Sequence, residues 1–161
     1  SGQASSERRT VDVYLGHYSA DHRHPLNIVI HHVCVPLIVW SLVALVWILP
    51  VPAAIGQPGL WAALAMVGAI GYYLRLSRVL GLAMIVVFGL LGLSSHLLLA
   101  GFGSSALMWT AIVVFALAWV GQFIGHAVEG RRPSFFTDLA YLLIGPLWIV
   151  AKLLRRLGVA Y

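Results

Sequence analysis

The chain has 161 residues, of which 61% are hydrophobic and only 9% charged, with a mean hydropathy of +0.94 and a formal net charge of +5. Soluble domains carry about 25% charged residues, so a water-soluble globule is excluded. Nucleic acid is excluded as a partner as well, because Lys and Arg sit at the chain ends and in two short loops, with no basic stripe and no interleaved aromatics. Such placement suits an anionic membrane leaflet. The single Cys34 rules out an intramolecular disulfide.

Residues 1–6 read as a flexible tail and 7–161 as a single membrane-embedded domain. Residues 7–20 have the amphipathic character of a short interfacial helix. A first span is predicted over 26–48, with Pro25 at its first helical position and Pro50 and Pro52 ending it. No cleavable signal precedes it, so it is expected to act as its own insertion signal. Gly56-Gln57-Pro58-Gly59 is a turn, and a shorter span over 60–74 stops at Arg75 and Arg78. A third span covers 79–100 and ends at the Gly- and Ser-rich stretch 101–105. The fourth covers 106–128 and is terminated by Gly130-Arg131-Arg132-Pro133. A last apolar stretch, 135–154, is interrupted by Gly145-Pro146 and finishes in Lys152, Arg155 and Arg156. The expected fold is all-α: an integral membrane bundle of four helices, a short N-terminal interfacial helix and a Gly-Pro-broken C-terminal segment.

Charge sets the topology. Arg8, Arg9 and Arg23 precede the first span, Arg75 and Arg78 separate the second from the third, and Arg131 and Arg132 follow the fourth. The two remaining loops carry no Lys or Arg. The positive-inside rule then places the N-terminus, the second loop and the fourth connection in the cytoplasm. A full fifth crossing would send Lys152, Arg155 and Arg156 to the wrong side, so a re-entrant or interfacial segment is expected over 135–154. A bacterial inner membrane is the expected location.

Ionisable groups inside a span are costly and mark function by default. Spans one and four are antiparallel, which sorts the seven histidines by depth. His31 lies about 9 Å inside span one by helical rise, and His126 is a turn or less from the cytoplasmic end of span four. His22 precedes span one by about one turn and can fold over both. His24, Asn27 and His31 share one helical face; Gln122, His126 and Glu129 share another. Gly121 and Gly125 form a G-x-x-x-G beside them, which lets another helix approach closely. Imidazoles gathered in this way suit iron, zinc, copper or nickel, with Glu129, Gln122 and Asn27 available to orient them. His96, near Ser94 and Ser95 and some 20 Å from the other end, reads as structural. His17, His24 and His32 receive no role. A paired-histidine haem protein, a carrier or proton/metal transporter, and a lipid-binding scaffold use the same residue types and stay open at this point.

Two stretches carry a resemblance. His22-Arg-His-Pro25-Leu-Asn27-Ile-Val-Ile-His31-His-Val-Cys-Val-Pro36 and Trp119-Val-Gly-Gln122-Phe123-Ile-Gly125-His126-Ala-Val-Glu129-Gly-Arg131-Arg132-Pro133, followed by Gly145-Pro146, resemble the small membrane-bound 2-hydroxy fatty acid dioxygenases. These are related to a fungal endoplasmic-reticulum enzyme of phytosphingosine breakdown. The likeness runs from about residue 12 to residue 157. It implies Fe(II), with zinc or manganese as possible substitutes, held by His22, His31 and His126. It also implies a long-chain 2-hydroxy fatty acid and O2 as substrates, with membrane lipid around the bundle. The expected reaction is oxidative decarboxylation to the acid one carbon shorter. Asn27, Gln122 and Glu129 are then the candidate catalytic residues, and Arg23, Arg131 and Arg132 the candidates for steering the carboxylate.

Overall fold

Proline at the start of a helix costs nothing, because the first backbone N–H groups have no intrahelical partner. The longest early apolar run begins in that way. In the computed structural model, which describes residues 9–130 and 141–161, α2 (Pro25–Trp47) opens on Pro25 and follows α1 (Thr10–Asp21) by three residues. His24 caps it, its Nδ1 accepting from the Leu26 N–H at 3.1 Å. Three more helices follow: α3 (Leu60–Leu76), α4 (Arg78–Val128) and α5 (Ile144–Arg156). No strand occurs among the described residues.

Two helices, α2 and α4, are long and apolar enough to cross a membrane; α3 is apolar but has 17 residues. The predicted boundaries of the first two spans lie within two residues of α2 and α3. The third and fourth predicted spans lie in one hydrogen-bonded element. α4 is 51 residues long and leaves helical geometry only at Gly103 (φ 87, ψ 169). Its two limbs, 78–102 and 104–128, both pack on α2. In the first limb Ser94 Oγ accepts from Trp40 Nε1 at 3.1 Å. In the second, Ala118 and Trp119 pack on Cys34 and Ile38. Leu98 and Leu99 of one limb and Leu107 and Ala111 of the other meet around Ala44. The expected five-residue break is thus a one-residue bend, in a backbone region that only glycine visits readily.

The second limb runs antiparallel to α2, as the sequence suggests. A Cβ at Gly121 would stand 2.5 Å from Cys34 Sγ, and one at Gly125 would stand 3.2 Å from His31 Cε1 and overlap Asn27 Oδ1. Both glycines are therefore contact surfaces for α2.

The C-terminal segment differs from its expected form. Gly145-Pro146 does not break a hydrophobic helix in its middle. It lies in the first turn of α5, where proline needs no donor. Gly145 is there because a Cβ would press on Tyr18 Oη and Val35 Cγ1, each at 3.1 Å. The 13 residues of α5 are too few for a hydrocarbon core of about 30 Å. Residues 135–140 of the expected segment lie outside the described residues. α1 lays its apolar face on α5: Val11, Leu15 and Tyr18 are buried against Ile144, Leu147, Trp148 and Ala151.

Candidate functional site

Three histidine rings come together where α1 ends, α2 begins and the second limb of α4 finishes. His22, in the α1–α2 connection, is 5% exposed, His31 on α2 1% and His126 on α4 9%. The ring centroids of His22 and His31 are 4.1 Å apart, and those of His31 and His126 are 5.6 Å apart. Aromatic side chains wall the group. Tyr18 stacks on His22 at 4.2 Å, and the Trp148 ring lies 5.7 Å from His22 and 5.2 Å from His32. Ser19 Oγ accepts from Trp148 Nε1 at 2.8 Å, and Tyr141 Oη donates to Asp21 at 2.7 Å, which ties α5 and its approach to α1.

Helical position fixes the tautomers. His22 Nδ1 faces the Tyr18 carbonyl at 2.6 Å, His31 Nδ1 the Asn27 carbonyl at 3.0 Å, and His32 Nδ1 the Ile28 carbonyl at 2.7 Å. A carbonyl only accepts, so each Nδ1 carries the proton and each neutral ring has its lone pair on Nε2. This arrangement orients imidazole ligands in metal sites. His24 has the other tautomer: its Nδ1 accepts from the Leu26 N–H. It is a helix cap, exposed and turned to the backbone. Helical phase alone could not separate it from His31.

The donor set suits an imidazole-binding metal in residue type and tautomer. Two rings bound through Nε2 to one ion at about 2.1 Å have centroids roughly 4.5–6.5 Å apart. The His31–His126 pair meets that spacing. His22 stands edge-on to His31 and closer than two ligands of one ion would, so its ring must turn to join them. Accordingly, no group of three or more His, Cys, Asp or Glu among the described residues is disposed to hold an ion as it stands.

Glu129 occupies a place that the sequence did not indicate. Its Oε1 accepts from the backbone N–H groups of Arg23 at 2.8 Å and His24 at 2.5 Å, and from Asn27 Nδ2 at 3.2 Å. The carboxylate that ends α4 therefore closes the N-terminus of α2, whose own first turn has no acidic residue. A negative charge there complements the helix dipole. The donation from the His24 N–H, with those from Asn27 and the Arg23 N–H, holds the Glu129 carboxyl below the usual carboxylate range.

Asn27 and Gln122 bring buried acceptors to the same place. Asn27 is fully buried and Gln122 4% exposed, and Asn27 Oδ1 and Gln122 Oε1 meet no donor among the described residues. Unmatched buried acceptors cost about 1–3 kcal/mol each, so they are uncommon outside functional sites. Of the three arginines singled out, Arg23 is exposed, while Arg131 and Arg132 lie outside the described residues. His96 is exposed at the other end of the bundle, 6.3 Å from the Trp47 ring. Tyr18 and Trp148, which frame His22, were not singled out in the sequence. An aromatic one turn before His22 was the only available signal.

Taken together, the fold and site define an all-helical, strongly apolar protein with a buried histidine cluster at one end. The comparisons with known proteins agree in extent. A protein-family profile described as 2-hydroxy-palmitic acid dioxygenase Mpo1-like matches residues 9–157, and the chain belongs to that family. It is similar to the 2-hydroxy-palmitic acid dioxygenase MPO1 of Saccharomyces cerevisiae, with 30% identity over 146 residues, 89% of this chain and 79% of the yeast protein. No solved structure matches it significantly.

Proposed function

We propose that the chain is a membrane-embedded Fe(II) dioxygenase that removes one carbon from a long-chain 2-hydroxy fatty acid. The observation that carries this reading is the buried His22–His31–His126 cluster, with the Nδ1 atoms of His22 and His31 turned to backbone carbonyls. Membership of the family and the named activity of the yeast relative give the reaction class. The balance is R–CH(OH)–COOH + O2 → R–COOH + CO2 + H2O, in which the hydroxy acid loses four electrons and O2 gains them.

His22, His31 and His126 would hold the ion through Nε2. When bound, the ion supplies the point at which O2 and the hydroxy acid react. Asn27 Oδ1 and Gln122 Oε1 are the acceptors available to a substrate hydroxyl. Glu129 keeps the first turn of α2 in place, and with it the His31 ring one and a half turns further on. Arg23, Arg131 and Arg132 attract the carboxylate, and the ring of apolar side chains excludes water. α2, α3 and the two limbs of α4 serve as four crossings, α3 at the lower length limit. The histidine end, with Arg23, Arg75 and Arg78, faces the cytoplasm of a bacterial cell.

The test is turnover by anaerobically Fe(II)-loaded protein given 2-hydroxypalmitate and then air, with products read by mass spectrometry. The expected product is pentadecanoic acid, absent with His126→Ala. Stoichiometric iron with no shortened acid from any 2-hydroxy acid would overturn the reaction. Absence of both iron and product would overturn the enzyme reading altogether.

A further inference from the structure

A second interior feature lies beyond the histidines. α2, α3, the first limb of α4 and the start of α5 frame a groove with a cavity of about 180 Å³, open on one side. On α2 its wall is Val39, Leu42, Val43 and Val46, a single helical stripe. α3 contributes Ala62, Ala65 and Ala69, small residues on the facing side that leave the space unfilled. At one end stand Leu143, whose carbonyl accepts from Tyr73 Oη at 2.6 Å, and Pro146. Among the described lining residues, Tyr73 alone contributes a side-chain oxygen or nitrogen.

This groove adjoins the histidine site through the Gly-Pro pair. Pro146 lines the groove; Gly145 before it packs on Tyr18, which stacks on His22, and on Val35, one turn from Val39 and one turn from His31. The far end is near Val46 and Ala62, because α3 starts where α2 finishes: Trp61 Nε1 donates to the Pro50 carbonyl at 2.9 Å.

We propose that this groove is the subsite for the acyl chain of the substrate, and that its end at Val46 and Ala62 sets the accepted chain length. The proposal rests on the reading of the histidine cluster as the place where the 2-hydroxy acid head reacts. Length supports the assignment. From His31 to Val46 is 15 residues, a rise of about 22 Å, of which the groove lining from Val39 to Val46 takes about 10 Å. An extended alkyl chain advances roughly 1.3 Å per C–C bond of about 1.5 Å, so the distance holds a chain of roughly sixteen to eighteen carbons. Chemistry supports it as well. A wall of methyl and methylene groups offers nothing to a polar ligand, whereas each buried CH2 gains about 0.8 kcal/mol. The Gly-Pro pair then has a place in the design: Pro146 lines the apolar tail site, and Gly145, packed closely on Tyr18 and Val35, joins it to the wall of the polar head site.

Two substitutions on α3 turn the groove into a ruler. Ala69→Leu fills it about 10 Å nearer the histidines than Ala62→Leu does, a difference of seven residues. The experiment measures both turnover and competition against radiolabelled 2-hydroxypalmitate, over saturated 2-hydroxy acids from hexanoic to tetracosanoic. Ala62→Leu is expected to lose only the longest chains. Ala69→Leu should move the cut-off down by roughly eight further carbons. Each excluded acid should fall by about tenfold or more, as a filled apolar pocket commonly produces. The shortest acids, handled as by wild type, report that both variants are folded. Equal losses at all lengths, or no change in either variant, would overturn the groove assignment, and so would a groove that holds only bilayer lipid, since competition would then show no dependence on chain length. A graded cut-off in competition without turnover would support the groove and overturn the reaction.

Discussion

The two ends of α2 are built on opposite chemistry. At its N-terminal end the helix meets the chain through polar groups: His24 caps it, Glu129 closes it, Asn27 is fully buried and His31 faces His22 and His126. At its C-terminal end the contacts are those of packing. Ala44 lies against Leu107 and Ala111, and Trp47 lies against Gly59, where a Cβ would stand 2.5 Å from the indole. Both ends hold a histidine on a neighbouring apolar helix. The N-terminal end surrounds it with two further histidines, Glu129 and the unmatched acceptors of Asn27 and Gln122, whereas His96 has beside it the Trp47 indole, whose buried Nε1 also meets no acceptor among the described residues. Burial of polar atoms without full compensation is costly, and its concentration around α2's first turns is the difference between the two ends.

The sharpest test of that contrast is removal of an imidazole. His31→Ala or His126→Ala is expected to reduce bound iron and turnover to below about one-hundredth of wild type, since on the proposed reading these would be direct ligands and even outer partners cost 10–100-fold. Metal content by mass spectrometry and product formation should fall together. Full iron content in a folded His126→Ala sample would remove His126 from the ligand set.

Glu129→Gln should have the next largest effect, roughly tenfold on turnover, as for a partner that positions a ligand. Its signature is pH. The folded carboxyl titrates below its ordinary value. Its stabilising contribution is therefore complete above the unfolded pKa of about 4.3 and lost as pH falls through the lower folded value. Thermal melting in detergent should show wild type losing its advantage over Glu129→Gln as pH falls below about 5. Parallel melting curves for the two proteins across that window would show that the carboxylate does not clamp α2.

The glycines give a graded comparison. Gly125→Ala drives a Cβ into Asn27 and His31, and overpacking of this kind costs about 1–3 kcal/mol. Gly89→Ala, on the first limb of the same helix, meets nothing within 4 Å and is expected to be neutral or to gain up to about 1 kcal/mol of helix propensity. Equal melting shifts for both would mean that close approach at Gly125 is not needed.

Much of this arrangement was legible in the sequence because it follows from period and charge. Alternation of basic and uncharged loops put α2 and the end of α4 antiparallel, and the 3.6-residue period placed Asn27 with His31 and Gln122 with His126. The contacts that lie across the chain were not legible. Glu129 read as an orienting group for a ligand; its partners are the backbone N–H groups of residues 23 and 24 with the Asn27 side chain, and the backbone contacts are ones that no side-chain pattern displays. Gly145-Pro146 read as a break because a sequence does not show which turn of a helix a proline occupies. His24 shared a face with His31 by phase, but one residue of offset from the helix start made it a cap. The turn at Gly103 read as five residues because Gly and Ser signal flexibility without stating how many of them the bend uses.

The smallest expected effect is the one that closes the comparison. His96 is exposed, and its ring neighbour is Trp47, at 6.3 Å. Ser95, beside it in sequence, directs its hydroxyl to the Leu91 carbonyl at 3.0 Å and so satisfies itself within the helix. Ser94 does the same at 2.8 Å while accepting from Trp40. The two serines of this end are thus internally matched, and Trp47 Nε1, buried beside His96, lacks an acceptor among the described residues with His96 in place, so removing His96 orphans no further group. A surface substitution of that kind changes stability by within about 0.5 kcal/mol. His96→Ala should therefore retain iron and turn over 2-hydroxypalmitate within about threefold of wild type. A loss comparable to that of His31→Ala would mean that the two ends are coupled, and that the concentration of unmatched polar groups around α2's first turns does not delimit the site.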